Sequence, residues 1–390
     1  MGSHIVGFAA RLADFGYTPG TIRGLLKTAG QLGRWMEREN IEFAELTVAT
    51  FDNFRIAAGE GGRRAVPSAG SMVALCDYLR STGEIAIEMP VLLTPVGELL
   101  VEYRVWLTGE RGLAAPTVLR YVNLARRFLS ERLEAAGDRF VMELAAVDVI
   151  EFLVRETDRL AVGSAKGRVG ELRSLLKYLY LRGLTPLALA PAIPTVAGWH
   201  DTTVPNGLSP LDVQRLVDTC DQATTIGRRD HAILLLVARL GLRSIEVARL
   251  ELDDIDWRAG EILVRGKARR QDRLPLPCDV GEALAAYLRD GRPATPIRHV
   301  FLATKAPRRA IRADLVSDVN RRACDRAGLA RVGAHRLRHA LATELLSKGA
   351  TLVEVSQVLR HRDLATTAIY AKVDLNTLRR VAQPWPGATR

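Results

Sequence analysis

One short pattern occurs twice in this chain, and it restricts the fold more than any other feature. Gly16-Tyr17-Thr18-Pro19-Gly20-Thr21-Ile22-Arg23 is echoed by Gly112-Leu113-Ala114-Ala115-Pro116-Thr117-Val118-Leu119-Arg120 roughly 100 residues later. A long stretch of helical periodicity follows each copy. In the first, Ile22, Leu25, Leu26, Leu32, Trp35 and Met36 keep close to a 3.6-residue period, which predicts a helix over Thr21 to Glu39. Two further landmarks hold the same register: Leu46 through Phe54 resembles Leu144 through Phe152, and Tyr78-Leu79 with Gly83 matches Tyr178-Leu179 with Gly183. Any two helical segments share some pattern, but three landmarks in one order favour duplication of a compact helical module. The segments read as a helical module over 1–88, its possible duplicate over 89–195, a linker over 196–206 and a final domain over 207–390.

The first copy continues with helical patterns over Leu46 to Ala57 and Ser68 to Thr82, broken by the glycines at 59, 61 and 62. Pro90 and Pro95 separate the modules. Pro186, Pro191, Pro194, Gly198, Pro205 and Gly207 suit a hinge between domains. Beyond it, Ser209-Pro210-Leu211-Asp212 has the form of a helix start, and an apolar helix runs from His231 to Leu240. Between Asp253 and Leu276 the period changes from helical to alternating. Ile255 to Trp257, Glu261 to Val264 and Asp272 to Leu276 read as short antiparallel strands, with Pro275 tolerated at an edge. Helices return at Asp279 to Arg289, Leu315 to Gly328, His335 to Lys348 and Leu352 to Leu359. The fold class is therefore mainly α, with a small antiparallel β-sheet confined to the last domain.

The 390 residues carry a formal net charge of +11, and arginine supplies most of the excess. Such a balance points to a polyanionic partner, and guanidinium suits bidentate phosphate contact. No run of 18 or more apolar residues and no apolar leader argue for a membrane. Cys76, Cys220, Cys278 and Cys324 are too scattered for a metal or disulfide framework, which suggests a reduced, cytoplasmic protein. Basic residues collect on two helices of the second module: Arg120, Arg126, Arg127 and Arg132 on one, and Lys166, Arg168, Arg173 and Lys177 on the other. With few acids between them, they are candidates for contact with a phosphate backbone. Arg269 and Arg270 sit in a hairpin turn and join that set. Arg308 and Arg309, with Arg312, Arg321 and Arg322, form either a DNA-facing patch or a solvated face.

The chemistry concentrates near the C-terminus. His335 and Arg338 are three apart and share a helix face, ahead of Leu341, Leu345 and Leu346. His361 follows, then a lone tyrosine, Tyr370. Upstream, Gly241-Leu242-Arg243-Ser244-Ile245-Glu246 places an arginine just after a sharp turn, and Lys267 projects from the tip of a hairpin. As a set in this order, these motifs resemble the tyrosine recombinase (phage integrase) family over roughly residues 207 to 382. The helical clamp character of residues 90 to 195 extends the likeness to a SAM-like core-binding domain.

The resemblance implies that Tyr370 is a nucleophile that becomes a 3′-phosphotyrosine link. A phenol near pKa 10 needs a base or strong positive potential to attack at neutral pH. Arg243 and Arg338 would fork onto the phosphate oxygens. Lys267 would protonate the departing 5′ oxygen, and His335 would act as general base or proton shuttle. His361 would hydrogen-bond the phosphate or orient Tyr370, and Glu246 would hold Arg243 or His335 in place. His339 reads as a packing or capping residue. One departure stands out: Arg360 precedes His361 where the family often has glycine, which puts the local turn geometry in question and adds a candidate phosphate contact.

By the same resemblance the partner is double-stranded DNA carrying a specific recombination site, with no metal or cofactor. The protein would act as a homotetramer on two DNA sites, a dimer per site, passing through a Holliday junction, with accessory or sister recombinases as further candidates. It would be nucleoid-associated when bound. The segment around Leu375 to Trp385 either folds back on its own domain or docks on a neighbour. The rivals are a type IB topoisomerase and a catalytically silent DNA-binding regulator.

Overall fold

A computed structural model of the chain describes residues 2–46, 48–60, 69–84, 94–196, 208–266, 270–361, 365–368 and 370. The chain divides into two compact units. One comprises residues 1–42, 54–83 and 201–390, the other residues 43–53 and 84–200. The helices over the first half are α1 (Ile5–Asp14), α2 (Pro19–Glu39), α3 (Val48–Glu60) and α4 (Ala69–Ser81), then α5 (Pro95–Gly109), α6 (Ala115–Ala136), α7 (Ala146–Thr157) and α8 (Val162–Leu181). Among the described residues, no helix is long and apolar enough to cross a membrane.

Pro95 stands at the first helical position of α5. The preceding Thr94 accepts a hydrogen bond from Gly97 N at 3.1 Å; Thr18 and Pro19 open α2 in the same way. Proline fits there because the first helical N–H has no intrahelical acceptor. The repeated landmarks adopt matching conformations. Leu79 and Leu179 are fully buried at the ends of α4 and α8, and each helix is followed by a left-handed glycine, Gly83 at φ 79° and Gly183 at φ 69°. In the second unit α6 packs on α5 and α8, and α7 on α8. Tyr103, Trp106 and Tyr178 form an aromatic cluster in its core, and Phe128 meets Phe152 edge to face.

The remainder of the first unit holds α9 (Pro210–Asp218), α10 (Thr225–Leu240), α11 (Ser244–Ala248), β1 (Ile255–Asp256), β2 (Glu261–Arg265), β3 (Gln271–Pro275), α12 (Cys278–Asp290), α13 (Ala313–Ala327), α14 (His335–Ser347), α15 (Leu352–Val358) and α16 (Ala365–Ala368). The sheet is antiparallel in the order β1-β2-β3, so Pro275 does lie on an edge strand. The central helix is α10, which packs against α9, α12, α13 and α14. Its run Ala232–Val237 is buried all round, and each fully buried Leu, Ile or Val stabilises by about 1.5–3 kcal/mol.

Within the same unit, the loop before α13 meets the N-terminal helices. Arg308 N donates to Phe15 O at 2.8 Å, and Arg309 pairs with Asp77 at 3.2 Å while its guanidinium lies over the Phe15 ring. Arg309 is thus engaged in a protein contact rather than standing free as part of a basic patch.

Gly241 ends α10 in the left-handed region at φ 58°. A Cβ there would come within 2.7 Å of Leu359 Cδ2 and 3.1 Å of Leu341 Cδ2. The left-handed conformation alone costs a side-chain-bearing residue about 1–2 kcal/mol. Gly241→Ala should therefore lower stability by at least that amount, read as a lower urea midpoint at unchanged slope.

Candidate active site

The sharp turn at Gly241 sends the chain directly into α11, with Arg243 at its N-cap position. Glu246, one turn on, reaches back to this start. Its Oε2 accepts from Arg243 N at 2.8 Å, and its Oε1 accepts from Arg243 Nη1 at 2.7 Å. The glutamate is 2 % exposed, whereas the arginine remains 41 % exposed. Arg243 is anchored at this carboxylate, yet much of its side chain remains open to solvent.

The second arginine arrives on α14. Arg338 is buried, with Nη1 donating to Gly241 O and Nη2 to Leu359 O. These bonds satisfy carbonyls that helix ends leave without partners. They leave Nε–H and one N–H on each terminal nitrogen uncommitted by those contacts. Arg243 Nη2 donates to Arg360 O at 3.2 Å, so both arginines lean on the turn that follows α15.

That turn carries the remaining groups. His361 N donates to Ser356 O at 3.0 Å, and His361 Nδ1 lies 2.7 Å from Thr367 Oγ1. Tyr370 is 1 % exposed and packs in a small core with Ala342, Leu346, Val355 and Leu359. The rings form a row. His335 meets His339 at 4.3 Å, His339 meets Tyr370 at 5.3 Å, and His361 lies nearly parallel to Tyr370 at 6.4 Å.

Burial sets the charge states. It pushes His339 and His361 down to about 4, helped in each case by nearby cations, among them Arg338. His335 is lowered for the same reasons, by burial first and then by Arg338 and Arg243. All three imidazoles are neutral at pH 7. Burial brings Arg338 down to about 9, with Arg243 and Arg360 adding to the shift, yet it stays charged at neutral pH. Burial raises the Tyr370 phenol against the pull of Arg338. For Glu246, burial favours the neutral acid, but Arg360 and the hydrogen bonds and charge of Arg243 outweigh it and hold the carboxyl below its usual range.

The histidines make stability depend on pH with a definite sign. An unfolded histidine binds its proton near pH 6.5, while His339 and His361 in the fold resist protonation until about 4. Between those values the unfolded state holds more protons, so stability falls as pH drops. The melting temperature should decline from about pH 6.5 toward 4, and His361→Gln should flatten part of that slope.

The structure brings Arg243, Glu246, His335, Arg338, His361 and Tyr370 together. Lys267 and Arg269 lie outside the described residues, as does the segment from Leu375 to Trp385. Arg270 is exposed and pairs with Asp272 at 3.0 Å. The basic helices of the second unit are less one-sided than the sequence suggested. The buried carboxylate of Glu171 takes both Arg120, at 2.5 Å, and Arg168, at 2.8 Å. Arg127 pairs with Glu156 and Arg132 with Asp148, while Arg173 donates to Ile193 O. Apart from Glu171, which stands three residues from Arg168 on α8, these acids lie on helices neighbouring their arginines, so a linear reading understates them. Arg126 and Lys177 are exposed, and Lys166 is half-buried.

Sequence reasoning missed Thr367 and the course of Arg360. Of the two roles expected for His339, packing or capping, it takes the first, in the ring row; its spacing of four from His335 puts both on one helix face. Thr367 holds His361. Arg360 points inward rather than toward a phosphate, and no local pattern indicates that.

A model of the phage integrase family matches residues 207–376. A relative from Sinorhizobium fredii named as the integrase/recombinase y4rA is 40% identical, over 98% of this chain and 94% of the relative. Tyrosine recombinase XerD of Mycobacterium tuberculosis is 34% identical, over 72% of this chain and 94% of its own length. Among solved structures, XerH site-specific recombinase bound to a palindromic difH substrate aligns with a TM-score of 0.55 at 20% identity, covering 74% of this chain and 96% of that one. A lambda integrase dimer bound to a COC′ core site gives a TM-score of 0.55 at 16% identity, with 75% and 99% covered. The fold and the cluster around Tyr370 define a tyrosine recombinase. The chain belongs to the phage integrase family.

Proposed function

We propose that this protein cleaves and rejoins DNA strands at a specific site, with Tyr370 attacking a phosphodiester to form a 3′-phosphotyrosine link. The observation that carries this reading is the convergence of two arginines, each anchored by backbone or carboxylate, beside neutral imidazoles that flank one buried tyrosine. Arg243 and Arg338 would take the non-bridging oxygens, where negative charge grows as the phosphorus becomes five-coordinate. His335, kept neutral by its surroundings, is fit to accept the phenol proton. Lys267 remains the candidate donor to the leaving 5′ oxygen. The link conserves the energy of the broken bond, so rejoining needs neither ATP nor a metal ion. His361 orients the Tyr370 ring by lying parallel to it and is itself held by Thr367.

The exposed Arg126 and Lys177 are candidates for backbone contact in the clamp, with Arg120, Arg127, Lys166, Arg168, Arg173, Arg269 and Arg270 as further members. For those with ion partners in the protein, DNA contact means sharing or exchanging a carboxylate. Solved relatives include a dimer on a core site, and by likeness we assign this chain a dimer per site and a tetramer on two sites. Residues 1–88 would reach DNA outside the core or meet a neighbouring protomer, as a duplicated module of the core-binding domain.

The test uses a nicked duplex that traps the cleaved state. The full-length protein should form a denaturant-resistant adduct whose attached peptide contains Tyr370. Absence of any adduct on DNA that the protein binds would favour the regulator. Relaxation of plasmids lacking the site would favour the topoisomerase.

A further inference from the structure

We propose that Arg360 is a positioning residue for the phosphate clamp: it locks Glu246 and the end of α10, and through them fixes Arg243 and Arg338. The inference rests on the strand-cleavage reading above. Arg360 occupies the left-handed region at φ 53°, a conformation that costs a residue with a side chain about 1–2 kcal/mol. Its guanidinium turns inward and is 3 % exposed. There it offsets the strain with hydrogen bonds. Nη1 donates to Leu240 O at 3.3 Å and Val358 O at 3.0 Å; Nη2 donates to Gly241 O at 3.2 Å and Glu246 Oε2 at 2.9 Å.

Each of these acceptors also serves the clamp or borders it. Gly241 O takes Arg338 Nη1 as well. Glu246 Oε2 takes the backbone N–H of Arg243 as well. The carbonyl of Arg360 itself receives Arg243 Nη2. One residue therefore touches the anchor of both arginines, and its charge sits where the carbonyls of α10 concentrate negative potential. Glu246 faces Arg243 from its own turn, Arg360 from the turn after α15, and Arg338 from α14. Three guanidiniums around one carboxylate leave a surplus of positive charge that a phosphate can neutralise.

The test compares wild type, Arg360→Gly and Arg360→Lys on the trapping duplex, reading DNA affinity, single-turnover cleavage and its pH profile. Glycine suits the backbone at φ 53°, so the variant keeps the turn and loses only the guanidinium. We expect unchanged DNA affinity and cleavage slower by about tenfold or more, the scale of losing an orienting partner. Without Arg360, Glu246 protonates more easily, so the acid limb of the profile should move to higher pH. Lysine can meet Glu246 but not all the carbonyls, and should restore part of both changes. Wild-type cleavage by Arg360→Gly with an unmoved acid limb would overturn the inference. So would slow cleavage with the wild-type limb and no recovery by lysine. Failure of the wild type itself to form an adduct would instead overturn the strand-cleavage reading.

Discussion

Tyr370→Phe should form no covalent adduct on the nicked duplex, while binding the same DNA with wild-type affinity and melting within a few degrees of wild type. The loss is complete because phenylalanine has no oxygen to attack phosphorus, and no neighbouring residue in the ring row can replace it. His335, His339 and His361 offer only imidazole nitrogens, and the two arginines are cations. The fold tolerates the change because the ring supplies the packing against Val355 and Leu359, and the ring remains. The measurement is a denaturing gel with labelled DNA alongside a binding titration. An adduct that persists in this variant would assign the nucleophile elsewhere.

Arg338→Ala should reduce single-turnover cleavage by about 10²–10³-fold, the scale of removing one preorganised donor from a developing oxyanion. Binding should change little, because phosphate contacts along the backbone dominate affinity. Stability should fall by less than the size of this buried side chain suggests. Removing it leaves Leu359 O without that donor, at about 1–3 kcal/mol. Gly241 O keeps Arg360 as a partner, and the cost of burying the Arg338 charge, to which repulsion from Arg243 and Arg360 adds, disappears. Arg338→Lys should be nearly as slow as alanine, since one ammonium cannot hold Gly241 O and Leu359 O and still present a fork to phosphate. Cleavage by the lysine variant near the wild-type rate would reduce the role of Arg338 to charge alone.

The two variants separate chemistry from architecture. As the proposed nucleophile, Tyr370 should be removable with the packing left in place. Arg338 ties the end of α10 to the turn after α15, and if it also clamps phosphate as proposed, its loss should show in rate and in stability together.

Much of the site was legible because its groups obey local rules. The His335–Arg338 spacing marks a helix face, and Gly241 marks a helix end with Arg243 and Glu246 one turn apart. Strand alternation after Asp253 locates the hairpin. The periods over 21–39, 46–57, 68–82 and 116–136 mark α2, α3, α4 and α6, whereas α1 and α5, opened by Thr94 and Pro95, were not singled out. Less legible were features that need a partner from far along the chain. Glu171 compensates Arg120 across a helix interface, and Asp77 holds Arg309 over a separation that no window spans. Arg360, standing where the family often has glycine, offered a candidate phosphate contact; instead it turns inward, and among its acceptors the carbonyls of Leu240 and Gly241 and the carboxylate of Glu246 come from more than a hundred residues upstream.

The sequence by itself determined which chemical groups this protein has, in what order, and on which helix faces they stand, because periodicity and capping are set within a turn or two. The tertiary structure alone decided their state. Burial makes the three histidines neutral, withdraws the Tyr370 hydroxyl into a small core, and turns Arg360 inward. Desolvation and charge coupling depend on what packs around a group from every direction, and the linear order of residues does not carry that.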